Sequence, residues 1–325
     1  MSRLRVAVIG TGRWAYQHLR AFTAREDVEV VGVYGRSEER TRRRAERFGV
    51  APYTDLDALL DHARPELVSL CLPNQAHFEP ALRVLQAGVA LVVDKPLVFD
   101  LDEADTLLAE ARRRELFFAV VFNHRYARPM MMAQDAVRSG HIGDLVLATW
   151  RFGGEGPADH PYNNLIETQC HGFDALEQLA GPIQSLAAQL CDRTRPGAYT
   201  TMSIALRFRS GAVGSLVGSY DDSYSHSGVH VLELVGSAGR VLVEDTVRRF
   251  SLSRHGSETT EVWQAGYFAD PDRQFLLTLD ACLADLVAAF RAGAPPPVPA
   301  EAGRRALQLA HAAIESHRTG RRVDV

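Results

Sequence analysis

One basic residue stands apart from the rest. Of the 36 lysines and arginines in this 325-residue chain, only Lys95 is lysine. Arginine stays charged at any working pH, whereas a partly desolvated lysine can exchange a proton. Lys95 sits just after the apolar run Val89–Val93 and just before Pro96. A second group comprises Glu167, His171 and Asp174, spaced four and three apart. On a predicted helix over 163–180 these residues share one face. His171 can then give or take a proton while Glu167 or Asp174 sets its tautomer. The same spacing suits a metal pair, but no third ligand is apparent, so no metal is expected. Cys170 faces away from its neighbour His171 on a helix and is not expected to act as a nucleophile.

A third group could hold phosphates. Gly10-Thr11-Gly12-Arg13-Trp14-Ala15 follows an apolar strand and opens a helix. The first glycine permits a tight turn, the second lets a pyrophosphate approach the backbone, and the small residue at the end allows close helix–strand packing. The end of the second strand should then carry an acid for the ribose 2′-hydroxyl of NAD(H). Glycine stands there instead, at Gly35, followed by Arg36, Ser37 and Arg40. Guanidinium and hydroxyl groups suit a 2′-phosphate, so NADP(H) is favoured over NAD(H). Ser37, Glu38 and Glu39 also read as an ordinary helix start.

These groups need a scaffold, and the pattern supplies one. Apolar runs at Leu4–Ile9, Val28–Tyr34, Leu67–Leu72, Val89–Val93 and Phe117–Phe122 alternate with helical segments. That is the pattern of a doubly wound α/β Rossmann domain with a parallel sheet, over residues 1–122. Lys95 then lies at the carboxyl edge of the sheet, where ligands bind. Leu72, Pro73, Asn74 and His77 follow another strand at the same edge and are read with Asp94 as cofactor contacts. Beyond residue 122, helices are predicted near 128–139 and 163–180. Strand-like runs follow one another between about 184 and 263 without intervening helices. This predicts a second, α+β domain over 123–325 with a large, mostly antiparallel open sheet. Helices near 272–291 and 301–318 close the chain, and the last is expected to pack back on the first domain. The Met130–Met132 run reads as core filler, and the Arg42–Arg44 and Arg112–Arg114 runs as solvated helix faces.

Composition excludes several classes. Charged residues make up 23% and apolar residues 46%, which fits a globular chain. A formal net charge of −4 leaves no basic footprint for nucleic acid. No apolar run is long enough for a membrane span, and the first residues lack the core of a secretory signal. The four cysteines are scattered, with no CxxC pair. Together these features predict a cytoplasmic protein with reduced thiols.

Five segments taken in order resemble the Gfo/Idh/MocA oxidoreductases. They are Gly10–His18 (GTGRWAYQH), Cys71–His77 (CLPNQAH), Val93–Pro96 (VDKP), Asn123–Arg125 (NHR) and Glu167–Asp174 (ETQCHGFD). The resemblance implies a nicotinamide-binding Rossmann domain and a second domain that supplies substrate contacts. It implies hydride transfer at a secondary alcohol or ketone of a sugar or polyol. Lys95 would be the proton donor and acceptor, assisted by His171 and Glu167. It also implies substrate contacts from Asn123, Arg125, Tyr126, Arg151, Asn164 and Asp174, and a homodimer or homotetramer. The sequence departs from the family pattern twice: Asp94 replaces the usual Glu before Lys-Pro, and Glu167 replaces the common Asp before the histidine. Two other readings stay open: a cofactor-binding regulator without turnover, and a reductase of a non-sugar carbonyl or dihydrodiol.

Overall fold

A computed structural model describes residues 2–268 and 274–325 of the chain. Its first sheet has six strands: β1 (Leu4–Ile9), β2 (Val28–Tyr34), β3 (Pro52–Tyr53), β4 (Leu67–Leu70), β5 (Ala90–Asp94) and β6 (Phe118–Val121). They lie in the order β3-β2-β1-β4-β5-β6, and every neighbouring pair is parallel. The strand order therefore reverses between β1 and β4, and ligands of open α/β sheets bind at the carboxyl ends beside that reversal. Helices α1 (Arg13–Thr23), α2 (Glu38–Phe48), α3 (Leu56–Ala58), α4 (Phe78–Gln86) and α5 (Leu101–Arg113) connect the strands. β4 and β6 are wholly buried, as expected for a sheet covered on both faces. Ser37 caps α2, its hydroxyl accepting from the Arg40 amide, with Glu38 and Glu39 in the first turn.

The second sheet has nine strands in the order β14-β13-β12-β11-β7-β10-β9-β8-β15. The strands are β7 (Leu145–Gly153), β8 (Ile183–Cys191), β9 (Thr201–Phe208), β10 (Val213–Ser219), β11 (His230–Gly236), β12 (Gly239–Glu244), β13 (Arg249–Arg254), β14 (Thr260–Gln264) and β15 (Val323–Asp324). Only β7 and β10 pair in parallel. Helix α6 (Arg128–Arg138) packs on β12 and β13, and α7 (Cys170–Ala180) packs on β7. The central strand, β7, is not expected from the sequence pattern. Its run Leu145–Trp150 is apolar at most positions, so the period-two signal is blurred.

Two further expectations are corrected. The single helix over 163–180 is a π-helical turn, Asn164–Thr168, followed by α7. The Gln169 amide reaches back five residues to the Asn164 carbonyl, which inserts one residue into the helical register. Glu167 and His171 are thus not one regular α-turn apart. Second, the chain divides into compact units differently from 1–122 and 123–325. One unit runs to Asn123 and includes Leu279–Leu307; the other is His124–Thr278 with Gln308–Val325. Within the first unit, Arg304 pairs with Asp105, and Gly303 lies close to Leu97 and Val120. Within the second, Ser316 accepts from the Ala188 amide and His317 from that of Leu190. The closing helices are Phe275–Arg291 and Ala300–Thr319; the expected start of the first, at 272 and 273, lies outside the described residues.

The turn after β1 makes a local prediction. Gly10 has φ +131°, and a Cβ there would stand 2.3 Å from the Cys71 carbonyl oxygen. Gly10→Ala should destabilise the protein by roughly 2–5 kcal/mol, from backbone strain and overpacking together. Urea denaturation checks this, and an unchanged midpoint would contradict the close approach.

Candidate active site

In the first unit the glycine turn is built to receive a ligand backbone-first. Gly10 is forced by its contact with Cys71. A Cβ at Gly12, by contrast, would meet nothing within 4 Å, so the surface in front of it is open. The N-terminus of α1 has no side-chain cap and no acidic residue in its first turn. Its free amides and positive dipole end suit a phosphate. The site residues thus fit a dinucleotide pyrophosphate. Arg13 is exposed beside this opening and Trp14 is half-buried.

Arg44 fixes the turn from behind. Its Nη2 donates to the carbonyl oxygens of Thr11 (2.8 Å) and Gly12 (3.4 Å), and its guanidinium lies over the Tyr16 ring. The Arg42–Arg44 run is therefore not wholly a solvated face: Arg42 and Arg43 pair with Glu38 and Glu39, while Arg44 turns inward. No signal in the sequence separates the three. Gly35, at the expected acid position, is equally constrained. A Cβ there would come within 2.6 Å of both Thr11 Cγ2 and Thr41 Oγ1. A side chain there would require the Thr11 and Thr41 side chains to move. Arg36 and Arg40 are exposed, and among the described residues neither takes part in an ion pair.

Lys95 is half-buried at the end of β5. Its amide donates to Asp94 Oδ1 at 2.9 Å, and Asp94 is itself buried. His77 braces the same loop. Its Nδ1 lies 3.0 Å from the Pro96 carbonyl and its Nε2 3.1 Å from that of Leu72. Burial lowers its pKa, against the pull of these carbonyls. His77 is fully buried, its ring nitrogens turned to the backbone of the two loops at this edge. Leu72 and Asn74 are half-buried and Pro73 exposed along that loop. Below it, His18, Cys71 and Asp94 bring one ligand atom each within 4.8 Å of one another. His18 Nδ1 lies 2.8 Å from Ser69 Oγ, and burial lowers the histidine pKa to about 3. Burial and the Asp94 charge push the Cys71 thiol up, so His18 and Cys71 stay uncharged and both lie against the Ser69 hydroxyl. His18 was legible in principle: it shares the apolar face of Ala15, Leu19 and Phe22.

In the second unit, Arg125 and Asp174 hold each other. Arg125 Nε donates to Asp174 Oδ2 at 2.7 Å, and its Nη2 donates to Oδ1. Burial raises the Asp174 carboxyl, with Arg125 pulling the other way. This bidentate pair fixes the turn Asn123–Tyr126 to α7. Beside it, the ring of His124 stacks on that of His171 at 4.1 Å. Both rings are buried. Asn123 is buried and Tyr126 half-buried. Glu167 Oε2 accepts from Asn163 Nδ2 (3.0 Å) and the Tyr220 hydroxyl (3.2 Å). Burial and the Glu167 charge push the Tyr220 phenol up, so it remains a donor.

Comparison with known proteins places this geometry. The description "Oxidoreductase family, NAD-binding Rossmann fold" matches residues 4–122, and "GFO/IDH/MocA C-terminal domain" matches residues 130–242. The chain belongs to the Gfo/Idh/MocA oxidoreductases. Myo-inositol 2-dehydrogenase of Thermotoga maritima is 26% identical over 331 residues, with 96% of each chain covered. Inositol 2-dehydrogenase of Rhizobium meliloti is 25% identical over 338 residues, covering 99% of each. The crystal structure of a probable dehydrogenase from Thermotoga maritima, 25% identical, has a TM-score of 0.84 over 99% of this chain and 98% of that one.

Two further residues expected at the substrate in this Gfo/Idh/MocA chain have partners of their own. Arg151 follows Trp150 on β7, and successive strand residues face opposite ways. Trp150 lies beside His124 and Gly172, whereas Arg151 is exposed and paired with Asp222. Asn164 is buried and its amide is spent: Nδ2 donates to the Thr200 carbonyl and Oδ1 accepts from Gln169.

Buried neutral histidines also tie stability to pH. His230 Nδ1 accepts from the Thr246 amide at 2.9 Å, which puts its proton on Nε2. Burial lowers its pKa from 6.5 to about 3. Between those pH values the unfolded chain takes up a proton that the folded chain refuses, so stability falls as pH drops through this window. His230→Asn should flatten the stability–pH slope by up to about 1.4 kcal/mol per pH unit. Denaturation midpoints of both proteins at pH 7 and pH 5 test this; parallel slopes would contradict it.

Proposed function

We propose that this oxidoreductase is an NAD(P)-dependent dehydrogenase acting on a secondary alcohol or ketone of a sugar or polyol. Two full-length relatives named as inositol dehydrogenases support the substrate class. The observation that carries the reading is the open, uncapped glycine turn at the switch point of the sheet, with the single lysine at the same carboxyl edge. Gly10, Gly12 and the start of α1 would hold the pyrophosphate. When bound, the nicotinamide supplies or accepts the hydride. Lys95 holds the proton at Nζ: partial burial removes some of its hydration, which favours transfer to or from the substrate oxygen. Asp94 anchors the Lys95 backbone, and His77 secures the loop that follows. His171 assists as acid–base or orienting group, and Arg125 and Asp174 keep its helix in place. Glu167, held by Asn163 and Tyr220, contributes negative charge beside that helix.

The cofactor is NADP(H) in preference to NAD(H). Gly35 leaves no carboxylate for a 2′-hydroxyl, and Arg36 and Arg40 are available to a 2′-phosphate. The protein works in the cytoplasm as a homodimer or homotetramer, in keeping with the family resemblance. Among the described residues no helix is long and apolar enough to cross a membrane.

The test is nicotinamide turnover across myo-inositol, other polyols, sugars and keto-sugars, with wild type beside Lys95→Arg. Wild type should turn over a member of this panel, and the variant should lose roughly 100-fold or more in kcat. A variant with wild-type kcat removes Lys95 from its role, and cofactor binding without turnover of any panel member favours a regulator. A parallel binding titration checks the cofactor. NADPH should bind about tenfold or more tightly than NADH, with the advantage lost in Arg36→Ala/Arg40→Ala. Tighter binding of NADH overturns the preference.

A further inference from the structure

Helix α2 carries three arginines in a row, and only two of them have a carboxylate partner. Arg42 pairs with Glu38 and Arg43 with Glu39. Arg44 is half-buried, and among the described residues it pairs with no carboxylate. Its Nε is buried without a hydrogen-bond partner. Arg47, of like sign, shares the Tyr16 ring with it, at 5.9 Å from the centroid against 4.9 Å for Arg44. Taking a guanidinium out of water without an acid costs stability, so this placement calls for a compensating role.

The bonds of Arg44 show where that role lies. Nη2 donates to the Thr11 carbonyl at 2.8 Å and the Gly12 carbonyl at 3.4 Å. The Gly12 carbonyl also accepts from the Tyr16 amide at 3.0 Å, the first bond of α1. A trans peptide points its C=O and the following N–H in opposite directions. Holding the Thr11 oxygen therefore aims the Gly12 amide away from Arg44, and holding the Gly12 oxygen does the same for the Arg13 amide. Among the described residues neither amide donates to another group. The space in front of Gly12 is open.

We propose that Arg44 is the positioning residue of the glycine turn. It holds two carbonyls back so that the Gly12 and Arg13 amides face the cofactor pyrophosphate. The inference rests on the reading that this turn receives the pyrophosphate. The Tyr16 ring, on α1, is the platform that keeps the guanidinium in place. NADPH and NADH share the pyrophosphate, so Arg44 acts on both alike. That separates it from Arg36 and Arg40, whose proposed partner is the 2′-phosphate.

Binding titrations of NADPH and NADH to the full chain test this. Arg44→Met should raise the Kd of both cofactors about tenfold, with their ratio unchanged within about twofold. In turnover the loss should fall on the cofactor KM, not on kcat. The loss should also persist between about 0.05 and 0.5 M KCl, because salt screens a distant charge but not an aimed amide. A wild-type Kd in Arg44→Met overturns the positioning role and leaves the cofactor reading standing. A loss confined to NADPH makes Arg44 a 2′-phosphate ligand instead, and a loss that vanishes in salt makes it a distant charge; either result overturns the proposal. If wild type binds neither cofactor, the reading of the turn falls first and the proposal falls with it. Tyr16→Leu keeps the charge and removes the platform. It should raise both Kd values about threefold and add nothing to Arg44→Met when the two are combined. Should Arg44→Met fail to fold, Tyr16→Leu decides: unchanged Kd values overturn the proposal.

Discussion

The absence of a side chain at Gly10 is the constraint on which the cofactor side of this structure depends. The turn leaving β1 runs so close to the end of β4 that any Cβ would enter the Cys71 carbonyl. That approach brings the start of α1 against the sheet edge and aims its free amides outward. The other contacts follow from it. Gly35 must also lack a side chain because Thr11 occupies the space, and Arg44 ties down the carbonyls that the turn leaves exposed. A residue type normally read for cofactor choice is thus set partly by packing.

The second unit depends on burial instead. Its polar groups are removed from water in matched sets: Arg125 with Asp174, Asn164 with Gln169 and Thr200, and Glu167 with Asn163 and Tyr220. Buried polar groups are costly unless paired, so each set fixes the elements that supply its members. The π-helical turn at Asn164–Thr168 is where such pairing overrides regular helix geometry. It shifts Glu167 relative to His171.

Much of the first unit was legible because its signals are local. Continuous apolar strands separated by helical periods specify a parallel sheet, and the glycine spacing marks its first turn. The central strand β7 was not legible, because Leu145–Trp150 is apolar toward both faces. The partners of Arg151 and Asn164 were not legible either: one residue along a strand exchanges faces, and the partners of a buried amide are set by packing. Arg44 could not be told from Arg42 and Arg43, since all three are arginines on one helix.

The sequence by itself determined the family, the alternation of strands and helices in the first unit, the glycine turn after its first strand and the singular position of Lys95. These rest on residue type and short spacing, which backbone sterics and hydrogen bonding translate directly into local structure. Only the tertiary structure decided that His77 bonds to the loops after β4 and β5, that Arg125 pairs with Asp174, and that His124 lies against His171. Those relations join residues far apart in the chain. They exist because strand pairing and core packing bring distant side chains to one place, and no short-range pattern records that distance.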